Sequence, residues 1–184
     1  YGIEKTYETA DDLLVDPGLD AVFVLTPDHL HADLLEKAIR ARKHVFIEKP
    51  ATLTAAQLKP LVELDKSNGR IVFVGYMRRY SRAFSELKMR LPARGDIRHV
   101  RIRDLIRESK FFVDQTRRVF RPADVPQSLV DEGRARTQKL LRSVMGEAAP
   151  ADAVRAYQVL TGLASHSFSA MRELFGRPSA VAAA

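Results

Sequence analysis

Three stretches decide the fold: Ala21-Val22-Phe23-Val24-Leu25-Thr26-Pro27-Asp28-His29-Leu30-His31, then Lys43-His44-Val45-Phe46-Ile47-Glu48-Lys49-Pro50, then Ile71-Val72-Phe73-Val74-Gly75-Tyr76-Met77-Arg78-Arg79-Tyr80. Each carries a continuous apolar run of strand length and ends on a polar or glycine-bearing turn. Such runs suit parallel strands buried on both faces. Between the first two, Ala32 to Arg42 reads as an amphipathic helix with Leu34, Leu35, Ala38 and Ile39 on one face. Between the second and third, Thr54 is placed to cap a helix running to about Asn68, and Gly69 to close it. A shorter helix precedes them all, from a Thr9 cap through Leu14, stopped by Asp16-Pro17-Gly18.

Strand, helix, strand, helix, strand with short connections predicts an α/β fold built on a parallel sheet with right-handed crossovers. In open sheets of this kind, ligands bind just beyond the carboxyl ends of the strands. Three segments fall there: Thr26 to His31, Glu48 to Pro50, and Gly75 to Arg79. All three bear polar or charged groups, and their convergence marks a candidate site before any likeness is considered.

After Tyr80 the pattern changes. Ser81 to Leu91 reads as a helix, and Asp96 to Ile106 alternates like one long strand. Residues 108–127 are polar and irregular. Ser128 to Met145 reads as a charged helix, and Ala151 to Phe175 as one long or interrupted helix ended by Gly176-Arg177-Pro178. A boundary near residues 77–82 divides the chain into 1–78, the later part of a sheet domain, and 79–184, an incomplete α+β domain. One strand forms no sheet alone.

Composition narrows the function. Of 184 residues, 46% are hydrophobic and 29% charged, so a globular enzyme or binding domain is expected. There is no cysteine, which excludes disulfides, thiolate zinc sites and a cysteine nucleophile from these residues. No apolar run reaches the roughly 20 residues of a membrane helix. The net charge of +7 is spread along the chain, and no nucleic-acid motif accompanies it. The expectation is therefore a cytoplasmic protein with no nucleic-acid, membrane or metal partner.

The three motifs, in this order and spacing, resemble the Gfo/Idh/MocA oxidoreductases. The likeness is close over residues 1–100, loose over 101–150, and returns at Leu160 to Pro178, where Ser165-His166 followed by an apolar helix is similar to the family's catalytic helix. The resemblance implies a Rossmann-type dinucleotide-binding domain followed by a substrate and oligomerisation domain. It implies hydride transfer between NAD or NADP and a secondary alcohol of a sugar, inositol or related polyol, in a homo-oligomer. By motif alignment the chain is expected to begin after the family's first two strands, and no Gly-x-Gly-x-x-Gly occurs in it. By itself it is therefore expected to grip the cofactor poorly and to be inactive.

Carried over residue by residue, the likeness places Thr26, Pro27, Glu48, Lys49 and Pro50 on the cofactor side, and Lys49, Tyr76, Arg79 and His166 around the substrate. Lys49 is the first catalytic candidate, because a fixed ammonium stabilises the negative charge that grows on oxygen as hydride leaves. The bland alternative is a surface lysine paired with Glu48. A cis Lys49–Pro50 bond would be a functional constraint. His166 is the second candidate, as the base that takes the hydroxyl proton; the alternative is a helix histidine satisfied by Ser165 or Ser169. Where many family members carry aspartates four residues before and three after this histidine, the chain has Gly162 and Ser169. His31 is expected to pack and cap its helix, Arg79 to meet an anion or bridge the domains, and the run Arg117, Arg118 and Arg121 to be solvated. Two rival readings stand beside the oxidoreductase: a non-catalytic paralogue that binds a sugar or dinucleotide, and a basic nucleic-acid-binding module.

Overall fold

The computed structural model describes residues 2–104, 114–115 and 122–181. Helix α1 (Ala10–Leu14) leads into strand β1 (Ala21–Val24), and helix α2 (Asp28–Arg40) into β2 (His44–Ile47). Helix α3 (Ala55–Lys66) then leads into β3 (Val72–Val74). The three strands are parallel, in the order β1-β2-β3. Both crossovers carry a helix, as parallel pairing requires. The Thr9 and Thr54 hydroxyls accept the Asp12 and Gln57 amides and so cap α1 and α3, as their positions predict.

Register sorts the sheet into two unlike faces. Val22, Val45 and Val72 stand abreast, and so do Val24, Ile47 and Val74. Side chains alternate across a strand, so both rows point to one side. There they meet Ala32, Leu35, Ala38 and Ile39 of α2, Leu14 of α1 and Leu61 of α3, which together form the buried core. The intervening row, Phe23, Phe46 and Phe73, points to the other side and stacks with centroids 5.2 and 5.5 Å apart. Tyr80 extends it at 5.4 Å. Phe23 is 70% exposed. The expectation of strands buried on both faces therefore fails on this side, because the described helices against the sheet all lie on the valine side.

Helix α2 begins at Asp28, four residues before the sequence pattern predicts. Pro27 presets the entry with φ −60°, and Asp28 sits in the first turn, where a carboxylate suits the helix dipole. This early start puts His31 inside the helix, facing the sheet.

Beyond β3 come a 3-10 turn (Met77–Tyr80), α4 (Arg82–Arg90) capped by the Ser81 hydroxyl, and a second 3-10 turn (Arg94–Asp96). Residues 97–104 pair with no strand, so the long strand expected over 96–106 is not formed there. Its alternating pattern finds no neighbouring edge among the described residues. Residues 105 and 106 lie outside them, as do Arg117, Arg118 and Arg121. Helix α5 (Gln127–Met145) follows, then α6 (Ala151–Val159), a π-helical turn (Leu160–Ala164) and α7 (Ser165–Phe175). Of the two forms expected over 151–175, one long or an interrupted helix, the structure has the interrupted one, with the π turn at the interruption. Gly176, at φ +86°, ends it.

The later helices return to the sheet unit. Arg136 of α5 pairs with Asp33 of α2, and Gly133 packs directly against the His29 ring. The Tyr157 hydroxyl of α6 donates to the Leu53 carbonyl at 2.9 Å. Arg94 donates to the carbonyls of Glu173 and Leu174, holding the end of α7. Among the described residues no helix is long and apolar enough to cross a membrane.

Candidate active site

The strand ends expected to converge do so, and α7 covers them. Two loops are fixed first. His31 is 1% exposed, and its ring joins the loop after β1 to the loop after β2. Nδ1 lies 2.7 Å from the Pro50 carbonyl oxygen, and Nε2 lies 2.8 Å from that of Thr26. Both partners only accept, so a neutral ring can donate to one of them and the doubly protonated ring donates to both. The sequence reading of His31 as a packing and capping residue is thus too small. The side chain is a clamp between Thr26-Pro27 and Lys49-Pro50. The Lys49–Pro50 peptide is cis.

Glu48 turns back on the backbone, its carboxylate accepting the Lys49 amide at 3.1 Å. Lys49 forms no ion pair with it. The lysine instead reaches across the chain, and its ammonium donates to the Gly162 carbonyl at 2.6 Å, over a separation of 113 residues. Gly162 sits in the π turn. A side chain added there would meet nothing within 4 Å, so the position is open space with a carbonyl at its edge. An ammonium has three donors, so two of Lys49's remain for a ligand.

His166, in the first turn of α7, is 6% exposed, and its buried Nδ1 has no hydrogen-bond partner. Neither Ser165 nor Ser169 satisfies it. The Ser165 hydroxyl is itself buried and unpartnered, and Ser169 accepts from Arg79 at 3.2 Å. The Tyr76 ring meets the imidazole edge-on, with centroids 6.0 Å apart. Burial first, then the charges of Arg78 and Lys49, hold His166 below its ordinary value, against weaker opposition from Glu48 and Asp104. The ring is therefore neutral near pH 7, the state a proton acceptor needs. Burial likewise raises the Tyr76 phenol, with Arg79 opposing.

Arg79 takes the bridging role between the turn after β3 and α7. Its Nε pairs with Glu173 and one terminal nitrogen donates to Ser169. Sequence reasoning missed Arg78, which pairs with Asp104 at 2.7 Å; the same carboxylate oxygen accepts from Ser167 at 2.8 Å. Only the pairing across α7 reveals it, since Arg78 and Arg79 are adjacent and alike in sequence. Thr26 and Pro27 are exposed at the end of β1, beside an open cavity of about 600 Å³ that runs under α5 past His29 and Gly133.

Residues 1–76 match the family model described as "Oxidoreductase family, NAD-binding Rossmann fold", that of Gfo/Idh/MocA. Over those residues the chain is similar to the Gfo/Idh/MocA oxidoreductases. Half of the chain is 42% identical over 92 residues to a scyllo-inositol 2-dehydrogenase (NAD(+)) of Bacillus subtilis (strain 168), covering 27% of that protein. A myo-inositol 2-dehydrogenase of Thermotoga maritima is 39% identical over 87 residues, 47% of this chain and 26% of that one. The chain thus spans about a quarter of the length of the curated relatives it matches. A crystal structure of a probable dehydrogenase from Thermotoga maritima is similar over 96% of this chain and 43% of its own, with TM-score 0.55 and 22% identity. That likeness speaks to fold alone, but it extends past the strands to the helices that carry His166.

Proposed function

We propose that this protein is an oxidoreductase that transfers a hydride between NAD or NADP and a secondary alcohol of a sugar, inositol or related polyol. One observation carries the reading: a half-buried ammonium at a parallel-strand end, Lys49, faces a helix whose buried, neutral imidazole, His166, has an unpartnered nitrogen. The two similar proteins named above are inositol dehydrogenases, which supports the same substrate class.

Thr26, Pro27, Glu48, Lys49 and Pro50 would hold the dinucleotide, at the strand ends where open parallel sheets bind such ligands. When bound, the nicotinamide supplies the hydride acceptor. The chain's own groups do the rest. The His31 clamp fixes the distance between the two loops. Lys49, held by the Gly162 carbonyl, offers its free N–H groups to the substrate oxygen and stabilises the charge growing there. His166 accepts the hydroxyl proton. Tyr76 and Arg79 wall the substrate side. In this reading residues 1–78 serve the cofactor, residues 79–184 the substrate and a homo-oligomer interface.

The test is nicotinamide reduction by the whole protein with NAD or NADP and a panel of inositols and hexoses, followed by fluorescence. Turnover of one polyol with one cofactor is expected. Cofactor binding without turnover of any polyol would favour the non-catalytic paralogue, a reading drawn from Gly162 and Ser169, which leave α7 without a carboxylate beside His166.

A further inference from the structure

A cavity of about 490 Å³ opens between the turn after β3 and the outer side of α7. Tyr76, Arg79, Ser165, Phe168 and Arg172 line it, with Glu173 at one wall. The lone acid there is already neutralised: one Glu173 oxygen takes Arg79, and the other takes Lys88 at 2.7 Å. The Arg172 side chain makes no ion pair or hydrogen bond among the described residues, so its positive charge is left over. Arg79 donates from Nε and one terminal nitrogen, and its second terminal nitrogen is still free. The Ser165 hydroxyl, in the cavity wall, is buried with no partner. Buried polar groups are rarely left unpaired, and an orphan on a cavity-lining residue calls for a ligand or an ordered water.

We propose that this cavity is an oxyanion subsite, and that the substrate is a sugar acid whose carboxylate it binds. Guanidinium groups recognise carboxylates through paired, charge-assisted hydrogen bonds, and a serine hydroxyl adds a third donor. Phe168, 53% exposed, offers an apolar wall to the C–H face of a sugar ring. The cavity borders the candidate catalytic group, because Tyr76 lines it while meeting His166 edge-on, and Ser165 precedes His166 in the chain. The assignment of the ligand's hydroxyls to the reaction rests on the oxidoreductase reading; the anion subsite itself does not.

Calorimetric titration of the protein with D-glucuronate, D-glucose and inorganic phosphate tests this. Glucuronate is expected to bind about tenfold or more tighter than glucose, and Arg172→Gln to abolish that advantage. Ser165→Ala should weaken glucuronate by a smaller factor. Arg172 is exposed, so its variant should melt at the parental temperature, which excludes misfolding as the cause. Equal affinity for glucuronate and glucose, no binding of either, or an unchanged preference in Arg172→Gln would overturn the subsite. Phosphate binding as tightly as glucuronate would overturn the sugar-acid assignment. Turnover of neutral inositols with no preference for glucuronate would overturn the subsite and leave the oxidoreductase reading standing. Arg172-dependent glucuronate binding without nicotinamide reduction would do the reverse.

Discussion

Replacing His31 with leucine keeps most of the volume and removes both ring nitrogens. The Pro50 carbonyl is then left buried and unpaired, at full cost, while the Thr26 carbonyl lies where water partly reaches it and loses less. A buried group stripped of its partner costs about 1–3 kcal/mol. Losing the one or two hydrogen bonds that the ring donates should lower stability by about 1–4 kcal/mol. The site should suffer as well, because nothing else described ties the Thr26 loop to the Pro50 loop. The assay is equilibrium urea unfolding followed by circular dichroism, with the slope compared between the proteins to confirm that only stability has changed. His31→Gln, which keeps an amide donor for one carbonyl, should recover part of the loss. A His31→Leu protein within about 0.5 kcal/mol of the parent would refute the clamp, since that is the range of an ordinary surface change.

Lys49→Met keeps the stem and removes the charge, and should slow turnover by roughly a hundred- to thousandfold, the usual effect of losing one preorganised donor, with melting temperature nearly unchanged. For His166 the folded value is depressed, so the acid limb of the kcat/KM profile should fall below pH 6.5 and vanish in His166→Asn. The same sign applies to stability: the unfolded histidine binds the proton more readily, so the contribution is complete above pH 6.5 and declines as pH falls below it. Gly133→Ala sets two effects against each other, a helix-propensity gain of about 1 kcal/mol and a new methyl only 2.7 Å from His29 Cε1. It should therefore destabilise the parent but stabilise a His29→Ala background, a coupling that a double-mutant cycle of melting measurements would read directly.

The sequence alone determined what is local and periodic. Apolar runs of strand length, threonines at cap positions and glycines at helix ends act over a few residues, and they placed β1 to β3, α1, α3, α5 and the end of α7. They also brought Thr26, Lys49 and Tyr76 to one edge, because parallel strands joined by helical crossovers leave all their carboxyl ends on the same side. What the sequence could not fix depends on partners far along the chain. The alternation over 96–104 reads as a strand, yet a strand exists only when another edge supplies its hydrogen bonds. The phenylalanine row reads as core, yet burial depends on what packs over it. His31 reads as a cap until Pro50 and Thr26 are seen on either side of its ring. Lys49 reads as Glu48's partner until the π turn, 113 residues away, presents the Gly162 carbonyl. Such contacts arise from packing α7 against the sheet edge, and tertiary structure alone decides which of two adjacent charges faces solvent and which faces the site.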